Sequence, residues 1–458
     1  MPPPISASNA APAARPSLRR ILGLGFGLAV TFGGTVGVGI LRLPGAIAAE
    51  LPNFWLIQIV WIAGGCYAML SAISVAELGA ALPQVGGFYV YARRAFGPGI
   101  GFAVGWADWL SNCAAMAYAA VAAAEYVGNL APALAGYPTS VALSLLGAFC
   151  LLQAAGLRLS SSIQKVTSSI TAITFLVLAA ACLLHSSPAS AGAPLVRADA
   201  GMPHLGWPLL FVPLVAAFRA MVVAYDGWYE AIYFTEEDTD AARHLPRAMI
   251  GGVATVLVLY LGMNLAFLHV LPIPQLAAST LPAADAAQIV FRNGGRVFVT
   301  LLALITLLSL IHALLLGAPR ILLAIGRDGL FSERAARVGK SGTPAAAMVM
   351  SAGAAAVLVA SGRFEDIVAI AAILVAALYA VSFLAVLLLR VREPELPRPF
   401  RAWGYPVSTL VVLAGSFAFL IAAIRDDPRS ALRVLALLAV AVPAYLVLRW
   451  RQRQRREA

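Results

Sequence analysis

Residues 31–45, TFGGTVGVGILRLPG, decide the fold of this 458-residue chain. The stretch lies in the first long apolar segment, and four glycines between Gly33 and Gly39 weaken the helix that this segment otherwise favours. An interrupted helix leaves backbone amides and carbonyls unpaired. At membrane depth such groups are tolerated only inside protein or beside a water-filled cavity. We therefore predict a broken first helix whose ends line a polar binding site.

A second interruption is predicted at residues 223–228, VAYDGW, about half a chain later. Two interrupted hydrophobic segments in corresponding positions of the two halves indicate the central site of a transporter. The alternative for the first stretch is that its glycines only allow neighbouring helices to pack closely.

The composition is that of a membrane protein. The chain is 61% hydrophobic and 12% charged, with a mean hydropathy of +0.86, whereas soluble domains have about 25% charged residues. Apolar stretches of the roughly 20 residues that a spanning helix needs recur from Ile21 to Trp450. We predict an all-α polytopic membrane protein with twelve transmembrane helices, in which spans one and six are broken. Residues 1–19 are expected to form a disordered cytoplasmic tail and residues 451–458 a basic cytoplasmic tail.

The net charge of +11 does not indicate a nucleic-acid partner, because the basic residues collect in alternate connections between spans. By the positive-inside rule both termini are cytoplasmic. Membrane lipids with anionic headgroups are the expected partners of these side chains. The cysteines lie inside apolar spans without metal-ligand spacing, so no metal site and no cofactor is predicted; they are Cys66, Cys113, Cys150 and Cys182.

The two breaks offer complementary chemistry. The amides of Gly37, Val38 and Gly39, at the start of a half-helix, can hold a carboxylate. The carbonyl ends at Thr35 and around Val223 to Asp226 can hold an ammonium group. If the breaks face each other, one cavity binds both ends of an α-amino acid.

The second break adds side chains with alternative roles. Asp226 can meet a substrate ammonium or guanidinium group, take up a proton during transport, or cap a half-helix from Gly227 to Thr235; capping is a common role of Asp. Tyr225 and Trp228 either close over the site or pack between helices.

Several polar residues in apolar spans are further candidates for coupling or gating. Glu77 is either bound by a cytoplasmic basic group as part of a gate or an interfacial carboxylate. Asp108 lies four residues before Asn112 on one helical face, where a structural hydrogen bond is the simpler role. Arg219 is expected in a wet vestibule or paired with an acid. His312 is either a proton carrier or a buried histidine with satisfied hydrogen bonds.

The chain resembles the amino acid–polyamine–organocation permeases from about residue 20 to residue 425. The resemblance rests on a series of motifs in matching order, namely Gly34-Thr35-Val36-Gly37-Val38-Gly39-Ile40, Ala76-Glu77-Leu78-Gly79, Gly86-Gly87-Phe88-Tyr89, Ala224-Tyr225-Asp226-Gly227-Trp228, Thr235-Glu236-Glu237, Leu245-Pro246-Arg247-Ala248, Arg327-Asp328-Gly329 and Gly342-Thr343-Pro344. It implies a LeuT-type five-plus-five inverted repeat. The transport core then covers residues 20–390, with helices 1–5 in residues 20–184 and helices 6–10 in residues 207–390, and helices 11–12 follow in residues 391–450.

The same resemblance implies a carboxylate-binding loop at Gly37, Val38 and Gly39, and ammonium-binding carbonyls at Thr35, Val223 and Asp226. Val223 stands where many relatives have an aromatic gate. A lysine that replaces sodium in several members aligns near Thr171, where this chain has none. His312 stands where an asparagine is common.

Together these features predict a secondary active transporter for amino acids, not an enzyme, in the bacterial inner membrane. Its coupling ion is left open between proton and sodium, with exchange as a further mode. A carrier of polyamines or cationic amino acids, motivated by Asp226, is the alternative within transport. A sensor that does not transport is the alternative from another class.

Overall fold

The computed structural model describes residues 18–51, 53–186, 207–339, 341–362 and 364–457. Its α-helices are, in chain order, α1 (Leu24–Thr35), α2 (Gly39–Glu50), α3 (Phe54–Ala81), α4 (Phe88–Phe96), α5 (Pro98–Leu130), α6 (Pro138–Ala154), α7 (Leu157–Leu184), α8 (Trp207–Ala224), α9 (Ala241–Val270), α10 (Ile273–Ala278), α11 (Pro282–Phe291), α12 (Gly295–Arg327), α13 (Ala345–Ala360), α14 (Phe364–Arg392), α15 (Val407–Asp426) and α16 (Pro428–Glu457). Short 3-10 helices cover Pro132–Leu134, Glu230–Glu237 and Arg292–Gly294.

The prediction of an all-helical polytopic membrane protein is confirmed. Within the described residues, seven helices are long and apolar enough to cross a membrane, and the bent pair α1–α2 makes an eighth. Three more apolar helices are shorter, at Pro138–Ala154, Val212–Ala224 and Ala345–Ala360. Twelve spans remain a prediction.

The structure describes only the last two residues of the predicted N-terminal tail and nearly all of the predicted C-terminal tail. Of the expected N-terminal tail, residues 1–17 lie outside the described part of the chain, and Leu18 is buried. At the other end, α16 continues without a break from the membrane segment to Glu457, so most of the expected basic tail is helical. The helix continues because the sequence has neither glycine nor proline after Pro443.

Close packing of α1 against α9 sets the position of the first break. A methyl group at Gly27 would lie 2.7 Å from the Ala248 side chain, and one at Gly252 would lie 2.6 Å from Thr31. The missing side chains let the two backbones approach, as is common between membrane helices. On the other side of α1, the Ser168 hydroxyl donates to the Ala29 carbonyl at 2.8 Å, which ties α1 to α7.

Ion pairs hold one end of the molecule together, and we call it the sealed end. They join the helix termini and loops that meet there, in the pairs Glu77–Arg390, Glu77–Arg398, Glu237–Arg320, Glu236–Arg327, Arg94–Glu393 and Arg93–Asp328. The hydrogen bond with Glu393 raises the pKa of the Arg94 guanidinium, so this group stays charged. At the opposite end, the open end, a cavity of about 430 Å³ lies between α2, α8, α14 and α15. We call it the vestibule.

Candidate functional site

The first helix breaks where the glycine-rich stretch predicts. Helix α1 ends at Thr35, Val36 is extended with φ −76° and ψ 102°, and α2 begins at Gly39 at an angle of 46° to α1. A methyl group built on Gly37 would meet no atom within 4 Å. Gly37 therefore borders open space and its backbone is accessible to a ligand.

The second break lies directly against the first. Helix α8 ends at Ala224, and the chain turns at Gly227, whose φ of +97° is a conformation that glycine adopts easily. A methyl group on Gly227 would overlap the carbonyl of Gly34, so the two backbones touch there. The two interruptions therefore face each other, which is the condition for one cavity to bind both ends of an α-amino acid.

After this turn the structure departs from the predicted half-helix. The segment expected as a helix from Gly227 to Thr235 is a turn followed by a 3-10 helix, Glu230–Glu237. Its N-cap residue is Tyr229, and no side chain caps it. Asp226 accepts a hydrogen bond from the Tyr379 hydroxyl instead. Proximity to Gly34 explains the shift, since the positive φ of Gly227 cannot be part of a right-handed helix.

A cavity of about 210 Å³ adjoins both breaks. Residues predicted for substrate binding that line it are Thr35, Gly37, Val38, Gly39, Val223, Ala224, Asp226 and Gly227. Helices α5, α12, α14 and α15 complete the wall with polar and apolar residues, among them Ser111, Asn112, Tyr118, Leu310, Leu314, Val375, Tyr379 and Phe419. Tyr229 and Glu230, which follow the second break, also line it. Val223, Ala372 and Phe419 also line the vestibule, so the two cavities adjoin at the open end.

Three other predicted site residues lie behind the wall. Val36 is buried. The Tyr225 hydroxyl donates to the Trp61 carbonyl at 3.2 Å, and its ring packs against Tyr260. Trp228 is buried beside Tyr379 and Phe383. Its ring stacks on that of Phe383, with 6.4 Å between the ring centres. In this conformation the aromatic side chains that border the cavity are Tyr118, Tyr229, Tyr379 and Phe419.

Tyr260 of α9 joins the two breaks, and sequence reasoning missed it. Its hydroxyl lies 3.2 Å from the Thr35 carbonyl and 3.1 Å from the Ala224 carbonyl, the last residues of α1 and α8. It therefore supplies a donor at the carbonyl ends left by the interruptions. The sequence held no signal for this role, because a tyrosine in an apolar span is ordinary.

The charges around the cavity have one sign. Among the residues that line it, Asp226 and Glu230 are acidic and none is Lys or Arg. The side chains of the wall thus offer opposite charge to an ammonium group and no cation to a carboxylate. Glu230, four residues after Asp226, was also missed by sequence reasoning, although that spacing was visible.

The coupling and gating candidates are scattered. Glu77 accepts from Arg390 at 2.6 Å and from the Ala402 amide at 2.7 Å at the sealed end. Asp108 is buried behind the cavity and accepts from the Tyr233 hydroxyl at 2.7 Å and the Asn112 amide at 3.1 Å. Arg219 borders the vestibule and pairs with Asp426 of α15.

Thr171 and His312 do not reach the cavity. Thr171 is buried in α7, and its hydroxyl has no hydrogen-bond partner in the described part of the chain. The Nε2 of His312 lies 3.0 Å from the Ser160 carbonyl, and its Nδ1 lies 3.3 Å from the Gln153 amide. His312 thus has a donor and an acceptor role in the packing of α6, α7 and α12.

Two helix breaks that meet beside a cavity in a polytopic membrane protein are typical of secondary transporters. The sequence profile described as "Amino acid permease" matches residues 27–444. The chain therefore belongs to the amino acid permease family of membrane transporters.

Individual relatives cover most of the chain. It is 24% identical over 444 residues to the serine/threonine exchanger SteT of Bacillus subtilis, with 95% of this chain and 98% of that protein aligned. It is 26% identical to the human b(0,+)-type amino acid transporter 1, over 89% of this chain and 83% of that protein. It is also 26% identical to the human Asc-type amino acid transporter 1, over 96% of this chain and 84% of that protein.

Proposed function

We propose that this permease is a secondary active transporter that moves α-amino acids through the 210 Å³ cavity by alternating access. The observation that carries the proposal is the contact between the two breaks, which brings the backbone of Gly37 to Gly39 and an acidic group to one space. The amides of Gly37 to Gly39 bind the substrate carboxylate. Asp226 and the Thr35 carbonyl bind its ammonium group.

The proposal includes the twelve-span, five-plus-five repeat architecture in a bacterial inner membrane, with both termini in the cytoplasm. In that orientation the sealed end faces the cytoplasm and the vestibule faces outward. The conformation is then outward-facing, and transport requires the ion pairs of the sealed end to separate. Exchange of amino acids is the mode that the name of the Bacillus relative suggests.

A carrier of polyamines is disfavoured, because a polyamine has no carboxylate for the amides at Gly37 to Gly39. The acidic residues of the wall still admit a basic amino acid. A screen of the twenty amino acids and putrescine by counterflow in proteoliposomes distinguishes these substrates. Counterflow of putrescine alone would contradict the proposed site.

Substitution of Gly37 by Leu tests the site itself. The side chain enters open space and fills the proposed position of the substrate carboxylate, so we expect counterflow to fall to the level of empty liposomes while the protein folds normally. Gly25→Leu is the matched control, since Gly25 is exposed on α1, before the break, and also has no neighbour within 4 Å of an added methyl group. Unchanged counterflow in Gly37→Leu would overturn the proposal.

A further inference from the structure

Glu230 occupies a niche that two glycines make. A methyl group on Gly34 of α1 would overlap its Cγ, and one on Gly317 of α12 would lie 3.3 Å from its Oε2. The carboxyl group thus lies between α1 and α12 at the wall of the cavity, with 2% of the residue exposed. Side chains at either glycine would exclude it.

One oxygen of this carboxyl group has no hydrogen-bond partner among the described residues. Its Oε2 accepts no hydrogen bond in the described part of the chain, and neither does Oδ2 of the nearby Asp108. Glu237, one end of the same 3-10 helix, is equally buried but lies 2.9 Å from an Arg320 guanidinium nitrogen. Glu230 has no such cation among the described residues.

The titratable and charged groups around Glu230 make a bare carboxylate still less favourable. They come from α5, from the turn of the second break and from the 3-10 helix itself, and they are Asp108, Asp226, Tyr229 and Tyr233. Tyr379 of α14 follows one step further, as the donor to Asp226. At this position α1 offers only Gly34, and the nearest arginine of α12, Arg320, is bound to Glu237. Glu230 is therefore surrounded by acids and phenols.

A buried carboxylate without counter-ion or donor is costly, and a second carboxylate nearby increases the cost. One proton removes both penalties, because the neutral acid has its own O–H donor and no charge. We propose, on the basis of the proposed function, that Glu230 is the proton-binding site of this transporter and that its proton moves together with the amino acid. Water at the open end supplies the proton to a carboxylate oxygen. Movement of the second break relative to Gly34 and Gly317 then exposes Glu230 to water at the other end, which receives it.

The test is accumulation driven by a proton gradient. Purified protein is reconstituted in liposomes with pH 7.5 inside and pH 6.5 outside, and potassium with valinomycin holds the membrane potential at zero. The substrate is the amino acid with the largest counterflow in the wild type. One proton per substrate and one pH unit allow about ten-fold accumulation. We expect several-fold accumulation by the wild type and none by Glu230→Gln, whatever the rate of that variant.

Two further variants serve as controls, and both should retain accumulation. Glu230→Asp keeps a titratable group and should retain accumulation. Glu125→Gln, which removes an exposed acid from the far end of α5, should match the wild type. Accumulation by Glu230→Gln would overturn the proposal, as would wild-type counterflow that is insensitive to the pH gradient. Loss of counterflow in the wild type would contradict the proposed function instead.

A second measurement does not depend on transport. Infrared spectra of the purified proteins at pH 7 should contain a carbonyl stretch of a protonated carboxyl group in the wild type that is absent from Glu230→Gln. Identical spectra in this region would overturn the proposal even if transport were lost for another reason. A band that disappears in Asp226→Asn but persists in Glu230→Gln would assign the proton to Asp226 and also overturn it.

Discussion

At the sealed end, Glu237 and Arg320 pair with 0% and 2% of their side chains exposed, whereas at the open end Arg219 and Asp426 pair with 42% and 55% exposed. The first pair lies in a low dielectric and Arg320 also packs over the Phe234 ring, 4.5 Å from its centre. The second pair lies at a water-accessible vestibule, where solvent and salt screen it. We therefore expect the buried pair to resist separation more than the exposed pair does.

The largest effect should come from Arg320→Met. Loss of the guanidinium leaves Glu237 buried without its partner, which destabilises a protein by about 3–5 kcal/mol. Thermal unfolding in detergent should show a correspondingly large decrease in stability, or the variant should fail to purify as a monodisperse protein.

Arg94→Met is the matched control for that prediction. Arg94 pairs with Glu393 at the same end but is 54% exposed, so its loss should cost at most about 1 kcal/mol. Equal destabilisation by the two substitutions would contradict the role assigned to burial.

An intermediate effect on stability is expected from Tyr260→Phe. This residue lies at the helix breaks, between the sealed end and the open end. The variant keeps the ring packing against Tyr225 and Trp61 but removes the hydroxyl from the Thr35 and Ala224 carbonyls. We expect a loss of about 1 kcal/mol in unfolding free energy and a larger relative loss of counterflow, because the breaks lose their common donor. Tyr67→Phe, which removes a hydroxyl 3.2 Å from the Val412 carbonyl outside the cavity, is the control. Equal counterflow by both variants would contradict the role of the Tyr260 hydroxyl as the common donor at the two breaks.

The smallest effect should follow from Arg219→Met. Exposed pairs contribute about 0–1 kcal/mol, so thermal stability should change little, and the remaining difference should vanish at high salt. A loss as large as that of Arg320→Met would mean that the vestibule is held as firmly as the sealed end and would remove the contrast between them.

The sequence predicted the features that depend on local composition. The glycines of residues 31–45 and the turn residues of 223–228 gave both breaks, and the apolar runs gave the polytopic class. A basic partner for Glu77 was one of the expected alternatives, but Arg390 and Arg398 were not identified, since more than 300 residues separate them from it. Pairing over such distances is decided by how the helices pack, which a local pattern does not contain.

The residues that line the cavity were predicted in part for the same reason. Backbone groups at the first break follow from the glycines alone, so Gly37 to Gly39 could be named. Trp228 illustrates the limit, because an aromatic residue beside a break has the same local pattern whether it faces the cavity or, as here, packs against Phe383. Tyr260 and Glu230 gained their positions from contacts with α1, α8 and α12, which only the folded chain brings together.

The contact between Gly34 and Gly227 has a mechanical consequence. Elsewhere in the core, side chains of one helix fill grooves of the next, and relative motion must lift them out. At this contact the Gly34 and Gly227 backbones meet without side chains of their own, and the neighbouring side chain packed against Gly34 is that of Glu230. Both glycines line the cavity, so we expect any movement of the second break relative to the first to change the shape of the cavity directly.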